Sequence, residues 1–238
     1  MKIIIQSVLA VVAICLLAGC ETTGLSPRES AGATYPNYIL SLQHGGTNAP
    51  QKVSMPIRLA VVQIGEAAPP EAMLDKLTQQ KNLVTSVIGL PLPDDRVNFN
   101  LYRNNNGADF QNSVYSARVK TICGLARTMG ADYVFLFGGN LDSWQENNFS
   151  SAFDITIIGG TLFPGATIYI EGKAAGALIS TETCQPVFFV NAEKRDSALS
   201  PDFFVDGKTA GLRVKVRDEL VAGLNDEIIN KLTDMSAP

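Results

Sequence analysis

The chain has 238 residues, of which 46% are hydrophobic, enough for one core of ordinary size. Its formal charge of −4 excludes a general electrostatic attraction to nucleic acid or anionic lipid, so we expect no nucleic-acid partner. With one histidine, four cysteines and no spacing typical of ligands, the sequence predicts neither a metal site nor a cofactor.

The first twenty residues have the parts of a secretory signal. Lys2 supplies the positive start, residues 3–18 are mostly apolar, and small residues precede Cys20. The alternative is a retained transmembrane helix, but the apolar run is shorter than the roughly 20 residues that a span needs. We therefore expect residues 1–19 to be removed as a lipoprotein signal peptide.

The segment Leu17-Ala18-Gly19-Cys20 resembles the lipobox of bacterial lipoproteins. This resemblance implies a diacylglyceryl thioether on Cys20, often with a third acyl chain such as palmitate on its amine. The next residue is Glu21 rather than aspartate, which by analogy with enteric bacteria favours the outer membrane over the inner membrane. We expect a protein that is lipid-anchored at the outer membrane and faces the periplasm.

Residues 20–55 contain many Gly, Pro, Ser and Asn residues that interrupt any regular period, which predicts a flexible tether. A flexible chain of about 35 residues has a root-mean-square reach of roughly 30 Å. His44, the one histidine, lies in this tether, where we expect a solvated side chain. Residues 56–238 are then the folded periplasmic domain.

The first half of that domain predicts a βαβαβ order. Residues 57–64 and 83–88 are apolar strands joined by a short helix that starts near Pro69. After an irregular segment, residues 89–111, a second helix precedes a third strand at residues 131–137. Apolar residues recur through that second helix at steps of three and four, which indicates one buried face: Tyr115, Val119, Ile122, Ala126 and Met129.

The second half predicts an antiparallel ribbon of strands at residues 151–158, 166–180 and 186–192, followed by a polar loop at residues 194–209. Residues 210–233 predict a long helix with an apolar residue at every fourth position, packed on the sheet rather than in a coiled coil. We therefore predict an α/β fold: a single layered domain, βαβαβ followed by an antiparallel β ribbon and a long C-terminal helix.

The sequence offers few groups for catalysis. No serine lies in a Gly-x-Ser-x-Gly elbow, and the glycine pairs lack the spacing of a phosphate loop. A hydrolase would have to use paired carboxylates, and the candidates are Asp132, Asp142, Asp154 and Glu171. Their positions at a strand start or in polar-apolar alternation favour turn and solvent-facing roles instead. We expect no catalytic residue and no enzyme.

Two cysteines remain in the domain, Cys123 in the second predicted helix and Cys184 in the turn between two ribbon strands. In an oxidising compartment a disulfide between them would persist. Two separate residues, one buried and one in a turn, are the alternative that the sequence favours.

The order of elements resembles the periplasmic rhombotail lipoproteins over residues 56–233, most closely at Ala131-Asp132-Tyr133-Val134-Phe135-Leu136, from Thr156 onward, and from Ala177 to Phe189. The architecture is more distantly similar to the curli secretion channel subunit and to lipoprotein activators of cell-wall synthases. The family implies no catalytic residue, so none is assigned.

These features together predict a non-enzymatic, lipid-anchored module that binds or supports another envelope protein. The alternative is an oligomeric outer-membrane export-channel subunit, indicated by the glycine-punctuated apolar ribbon. The membrane contact that we expect in the first case is the lipid on Cys20.

Overall fold

The computed structural model describes residues 53–91, 108–147, 165–200 and 205–236, with the side chains of residues 108–116 left aside. The eight elements of these ranges are, in chain order, β1 Ile57–Gln63, α1 Glu71–Gln79, β2 Val84–Gly89, α2 Ala108–Thr128, β3 Tyr133–Asn147, β4 Ala166–Ser180, β5 Pro186–Ser200 and α3 Val205–Ser236. The expected α/β fold is confirmed: βαβαβ comes first, then the antiparallel ribbon, then the long helix.

All five strands form one mixed sheet in the order β2-β1-β3-β4-β5. β1 pairs in parallel with β2 on one side and with β3 on the other. β3 pairs antiparallel with β4 along the full length of both strands, and β4 pairs antiparallel with β5. β1, which lies between β2 and β3, is buried on both faces, and this explains its nearly continuous apolar sequence.

One face of the sheet packs against α1 and α3. The apolar positions of α3 that recur every four residues are buried here, as the sequence predicts, and Leu212 at the start of the series is partly buried: Val216, Leu220, Leu224, Ile228 and Leu232. α3 lies so close to β4 at Gly172 that a Cβ there would overlap Leu220 and come within 2.7 Å of Leu141. This glycine therefore sets how closely the helix approaches the ribbon.

The other face packs against α2 through Val119, Ile122, Cys123 and Ala126. Met129, the last residue of the predicted apolar face, is 47% exposed. That expectation was wrong: α2 ends at Thr128, and Met129, whose N–H still donates to Leu125 O, lies outside the cluster of buried residues under the helix. Gly130 follows in a left-handed conformation with φ of 82°, which is common for a glycine just after the end of a helix.

Three predicted boundaries were wrong. β3 continues past Gly138 to Asn147, and β5 continues to Ser200 through a stretch predicted as a polar loop. α3 starts at Val205, five residues earlier than predicted. Polar residues were mistaken for loops because one face of these strands carries charged side chains.

The predicted strand at residues 151–158, the signal peptide and most of the tether lie outside the described residues.

Candidate functional site

The second halves of β3, β4 and β5 form a ribbon with two different faces. Ile168, Ile170 and Gly172 of β4 are buried against α3. The opposite face, here called the ribbon face, alternates with them and consists of Asn140, Asp142, Trp144 and Glu146 on β3, Thr167, Tyr169, Glu171 and Lys173 on β4, and Glu193, Arg195 and Ser197 on β5. The cluster of buried residues under α2 reaches Ala175 of β4, and the polar ribbon face begins directly beyond it.

An aromatic stack with an arginine above it occupies the middle of the ribbon face. Trp144 and Tyr169 are register partners, and their rings stack with centroids 5.4 Å apart and planes 13° apart. The Arg195 guanidinium lies 5.1 Å from the Trp144 centroid and 5.4 Å from the Tyr169 centroid. Both rings are half-buried and Arg195 is exposed. The stack and the cation restrict one another's rotamers, so the three side chains are ordered in advance of any contact.

Charged groups surround this stack. Asp142 and Glu171 are register partners, and Lys173 Nζ lies 3.2 Å from Glu171 Oε1 and 3.9 Å from Glu193 Oε1. Asn140 Nδ2 donates a hydrogen bond of 3.4 Å to Asp142 Oδ2. The other carboxylate oxygen, Asp142 Oδ1, is buried and has no hydrogen-bond donor among the described residues. A buried carboxylate oxygen without a donor costs free energy that an incoming N–H group would recover.

A small cavity lies on the opposite face, between α3, the carboxyl end of β1 and the middle of β3. Its volume is about 200 Å³, its floor is apolar, and its polar lining residues are Gln63, Glu66, Asn140, Arg213 and Arg217. Ligands of open α/β sheets commonly bind at this edge. Arg213 Nη1 donates to Ser143 Oγ at 3.1 Å. The lining carries both charge signs, with the Glu66 carboxylate and the Arg213 and Arg217 guanidinium groups.

Of the carboxylates that the sequence offered for catalysis, the structure brings Asp142 and Glu171 together as register partners and separates Asp132 from both. Asp132 lies at the start of β3, ten residues before Asp142, which corresponds to about 33 Å along a strand. Its carboxylate is bound by Arg58, whose hydrogen bonds hold the pKa of Asp132 below its ordinary value. Glutamate and aspartate pairs of glycosidases stand about 5–10 Å apart, so Asp132 does not form such a pair with Asp142 or Glu171. Asp154 lies outside the described residues.

Other predicted site residues are placed as follows. Cys123 is buried on α2, and Cys184 is half-buried in the β4–β5 turn beside it. Cys20 and His44 lie outside the described residues. Within the described ranges there is no cluster of three or more side chains able to bind a metal ion, and no helix is both long and apolar enough to cross a membrane.

Sequence reasoning missed the stack of Trp144, Tyr169 and Arg195. The three residues come from three strands, and two of them lie in segments that were not predicted as strands. The available signal was Trp144, the one tryptophan of the chain, which stands in a polar stretch. Only the strand register brings it next to Tyr169.

Comparison with known proteins gave no family. No protein-family model matches the chain, and no curated protein matches it. Among solved structures, the crystal structure of lipoprotein GNA1162 from Neisseria meningitidis is similar at 11% sequence identity, covering 67% of this chain and 99% of that one. The TM-score is 0.26, too low to equate the two folds, and we take nothing about function from it.

Proposed function

We propose that this chain is a lipid-anchored envelope lipoprotein, non-enzymatic, whose α/β domain binds another envelope protein through the ribbon face. The observation that carries the proposal is the stack of Trp144, Tyr169 and Arg195. These three residue types are the ones most enriched among the residues that dominate protein–protein binding energy. Because their rotamers restrict one another, these three side chains lose little further conformational entropy when a partner binds.

The surroundings of the stack indicate what the partner surface carries. The buried oxygen of Asp142 accepts from an N–H group, and the Asp142–Glu171 pair favours a cationic one. The two half-buried rings favour an apolar or planar side chain beside it. A partner segment with a lysine or arginine next to an apolar residue therefore fits this surface.

Anchoring rests on the lipobox at Cys20. Two or more acyl chains hold a protein stably on a bilayer. We expect Cys20→Ala to release the protein from membrane fractions. Cys15→Ala is the matched control because it changes a cysteine within the expected signal without touching the lipidated one, and it should leave the protein in the membrane fraction. Retention of the Cys20→Ala protein would contradict the anchoring proposal.

Partner binding is tested by site-specific photo-crosslinking in the native envelope. A photoreactive residue at Ser197 stands on the ribbon face opposite Tyr169, whereas one at Lys120 stands on the exposed side of α2. We expect a discrete crosslinked species from position 197, its loss on Trp144→Ala, and no such species from position 120. Equal products from both positions, or a product at 197 that survives Trp144→Ala, would contradict the assignment of the ribbon face.

The second candidate is an oligomeric export-channel subunit. Its support is the long strand β5, which lies at the edge of the sheet formed by the described strands; an edge strand can pair with another copy of the chain. The charged ribbon face weighs against insertion of the described strand segments in lipid, where charged side chains cost about 2–4 kcal/mol each near the midplane. Native mass measurement in detergent separates the two: a ring of many copies favours the channel, and a monomer favours the binding module.

A further inference from the structure

We propose that Cys123 and Cys184 form a disulfide bond that ties α2 to the turn between β4 and β5. The two cysteines are far apart in sequence, yet both belong to the apolar cluster under α2. Cys123 is fully buried, whereas Cys184 is half-buried. The fold has therefore brought one protected thiol and one accessible thiol to the same place.

The sulfur atoms approach two consecutive carbonyl groups of the same chain segment. Cys123 Sγ lies 4.0 Å from Ser180 O, and Cys184 Sγ lies 3.9 Å from Thr181 O. The backbone N–H of Cys184 also donates to Ser180 O at 2.8 Å, so both cysteines meet at that carbonyl. Burial and a hydrogen bond with the Cys184 thiol raise the pKa of Cys123, which is consistent with direct contact between the two thiols.

The turn is held against α2 independently of the cysteines. Arg127, one helical turn after Cys123, donates from Nη2 to the carbonyl oxygens of Thr181 and Glu182. Thr181 Oγ1 donates to Ala131 O at 2.9 Å and to Asp132 O at 2.8 Å. These bonds hold the turn against α2 and the start of β3, so the two thiols, which are free in this structure, stay close to one another.

The backbone at Cys184 supports the same conclusion. Its φ is 54°, in the left-handed region that residues other than glycine and asparagine adopt at a cost of about 1–2 kcal/mol. In this conformation its side chain faces the α2 cluster instead of solvent. Glycine would adopt this conformation without that cost, so the feature that a cysteine adds at this position is its sulfur.

The bond forms by thiol–disulfide exchange with a disulfide-bearing oxidant. The Cys184 thiolate attacks one sulfur of the oxidant, which gives a mixed disulfide and releases one thiol. The Cys123 thiolate then attacks Cys184 Sγ and expels the second oxidant thiol. The two thiol protons end on the released thiols, and the oxidant disulfide takes up both electrons. The Arg127 charge favours the Cys123 thiolate against the opposing effect of burial.

The test uses the full chain, purified in detergent and equilibrated with oxidised glutathione or with reduced glutathione. After denaturation, free thiols are labelled with a maleimide-polyethylene glycol and the protein is digested and mapped by mass. In the oxidised sample we expect one peptide pair joined through Cys123 and Cys184, lighter by two hydrogen atoms than the separate peptides, and the loss of both labels. In the reduced sample both labels return.

Two variants make the result decisive. Cys184→Ser should show one added label relative to the oxidised parent, whereas Cys123→Ala should stop at the mixed disulfide of Cys184 with glutathione; neither variant should show a joined peptide. If both thiols of the parent protein stay labelled after oxidation, or if the joined peptides come from different molecules, the proposal is overturned. Because the test supplies the oxidant, formation of the Cys123–Cys184 disulfide in it does not depend on where the protein resides. A disulfide that forms in vitro but is absent from envelope extracts would contradict only the location stated in the proposed function.

Discussion

Arg58 and Asp132 join the starts of the parallel strands β1 and β3 through both their side chains and their backbones. Arg58 Nη2 donates to Asp132 Oδ1 at 2.6 Å and Arg58 Nε to Oδ2 at 3.0 Å. The backbone N–H of Arg58 also donates to Oδ2, and the N–H of Asp132 donates to Arg58 O at 2.8 Å. Asp132, a candidate carboxylate for which the sequence favoured a turn role, thus joins the starts of two strands of the sheet.

This pair predicts a pH-dependent contribution to stability. The pKa of Asp132 is lowered in the folded protein, chiefly by the hydrogen bond from Arg58, so its stabilising effect is full above the ordinary aspartate range and is lost as the pH falls through the lowered value. In a double-mutant cycle of Arg58→Gln and Asp132→Asn, measured by urea unfolding, we expect a coupling free energy at pH 7 that shrinks below about pH 3.8. Equal coupling at pH 7 and in acid would contradict this.

The close approach of α3 to the ribbon predicts that Gly172 does not tolerate a side chain. A Cβ there would overlap Leu220 and lie 3.0 Å from Val216 Cγ1. We expect Gly172→Val to lower the free energy of unfolding by about 1–3 kcal/mol through overpacking. Gly211, on the exposed side of α3 with open space around it, is the matched control, and Gly211→Ala should raise stability by up to about 1 kcal/mol. Urea unfolding of both variants checks the opposite signs.

The spacing of apolar residues in the sequence predicted correctly those helices and strands that have one apolar face. The four-residue repeat of α3 predicted the buried side chains from Val216 to Leu232. The same reasoning failed for strand segments whose two faces both carry polar residues, because their sequence shows no alternation of apolar and polar residues. The run Lys194-Arg195-Asp196 falls in the loop predicted at residues 194–209, although its alternate residues face α3 and the ribbon face as in any strand.

The candidate site was less predictable than the fold for a physical reason. Contacts such as Trp144 with Tyr169 depend on register between strands, and register is set by the whole pairing pattern instead of local sequence. The same limit applies to Cys123 and Cys184, whose proximity depends on how α2 crosses the sheet. The lipobox, in contrast, is a contiguous motif and needs no tertiary information.

The different burial of Ile122 and Met129 predicts that truncating these two side chains lowers the free energy of unfolding by different amounts. Ile122 is 8% exposed and belongs to the cluster under α2, whereas Met129 is 47% exposed. We expect Ile122→Ala to lower the free energy of unfolding by about 2–4 kcal/mol, since it leaves a cavity in the core. Met129→Ala should change it by less than about 0.5 kcal/mol. Similar losses for both variants would show that Met129 is packed.

The cation above the aromatic stack predicts a spectroscopic change. Because Trp144 is the one tryptophan of the chain, its fluorescence reports on the ribbon face alone. We expect Arg195→Gln to shift the Trp144 emission to the red as the ring gains water, and to lower the free energy of unfolding by about 0.5–1 kcal/mol. Lys194→Gln removes a neighbouring positive charge from the other face of β5 and is the control. An equal spectral shift in both variants would contradict the contact between Arg195 and Trp144.

The proposed disulfide predicts a stability difference that depends on the redox state. Its loop, which runs from α2 to the β4–β5 turn, is long enough for the chain-entropy account to give roughly 4 kcal/mol of stabilisation when the bond is closed. We expect Cys184→Ser to lower the free energy of unfolding by that order under oxidising conditions. With a reductant present, the parent and the variant should unfold at nearly the same urea concentration, because a serine replaces a half-buried thiol in the turn. A large difference that persists in reductant would mean that Cys184 stabilises the turn through packing instead of through a covalent bond.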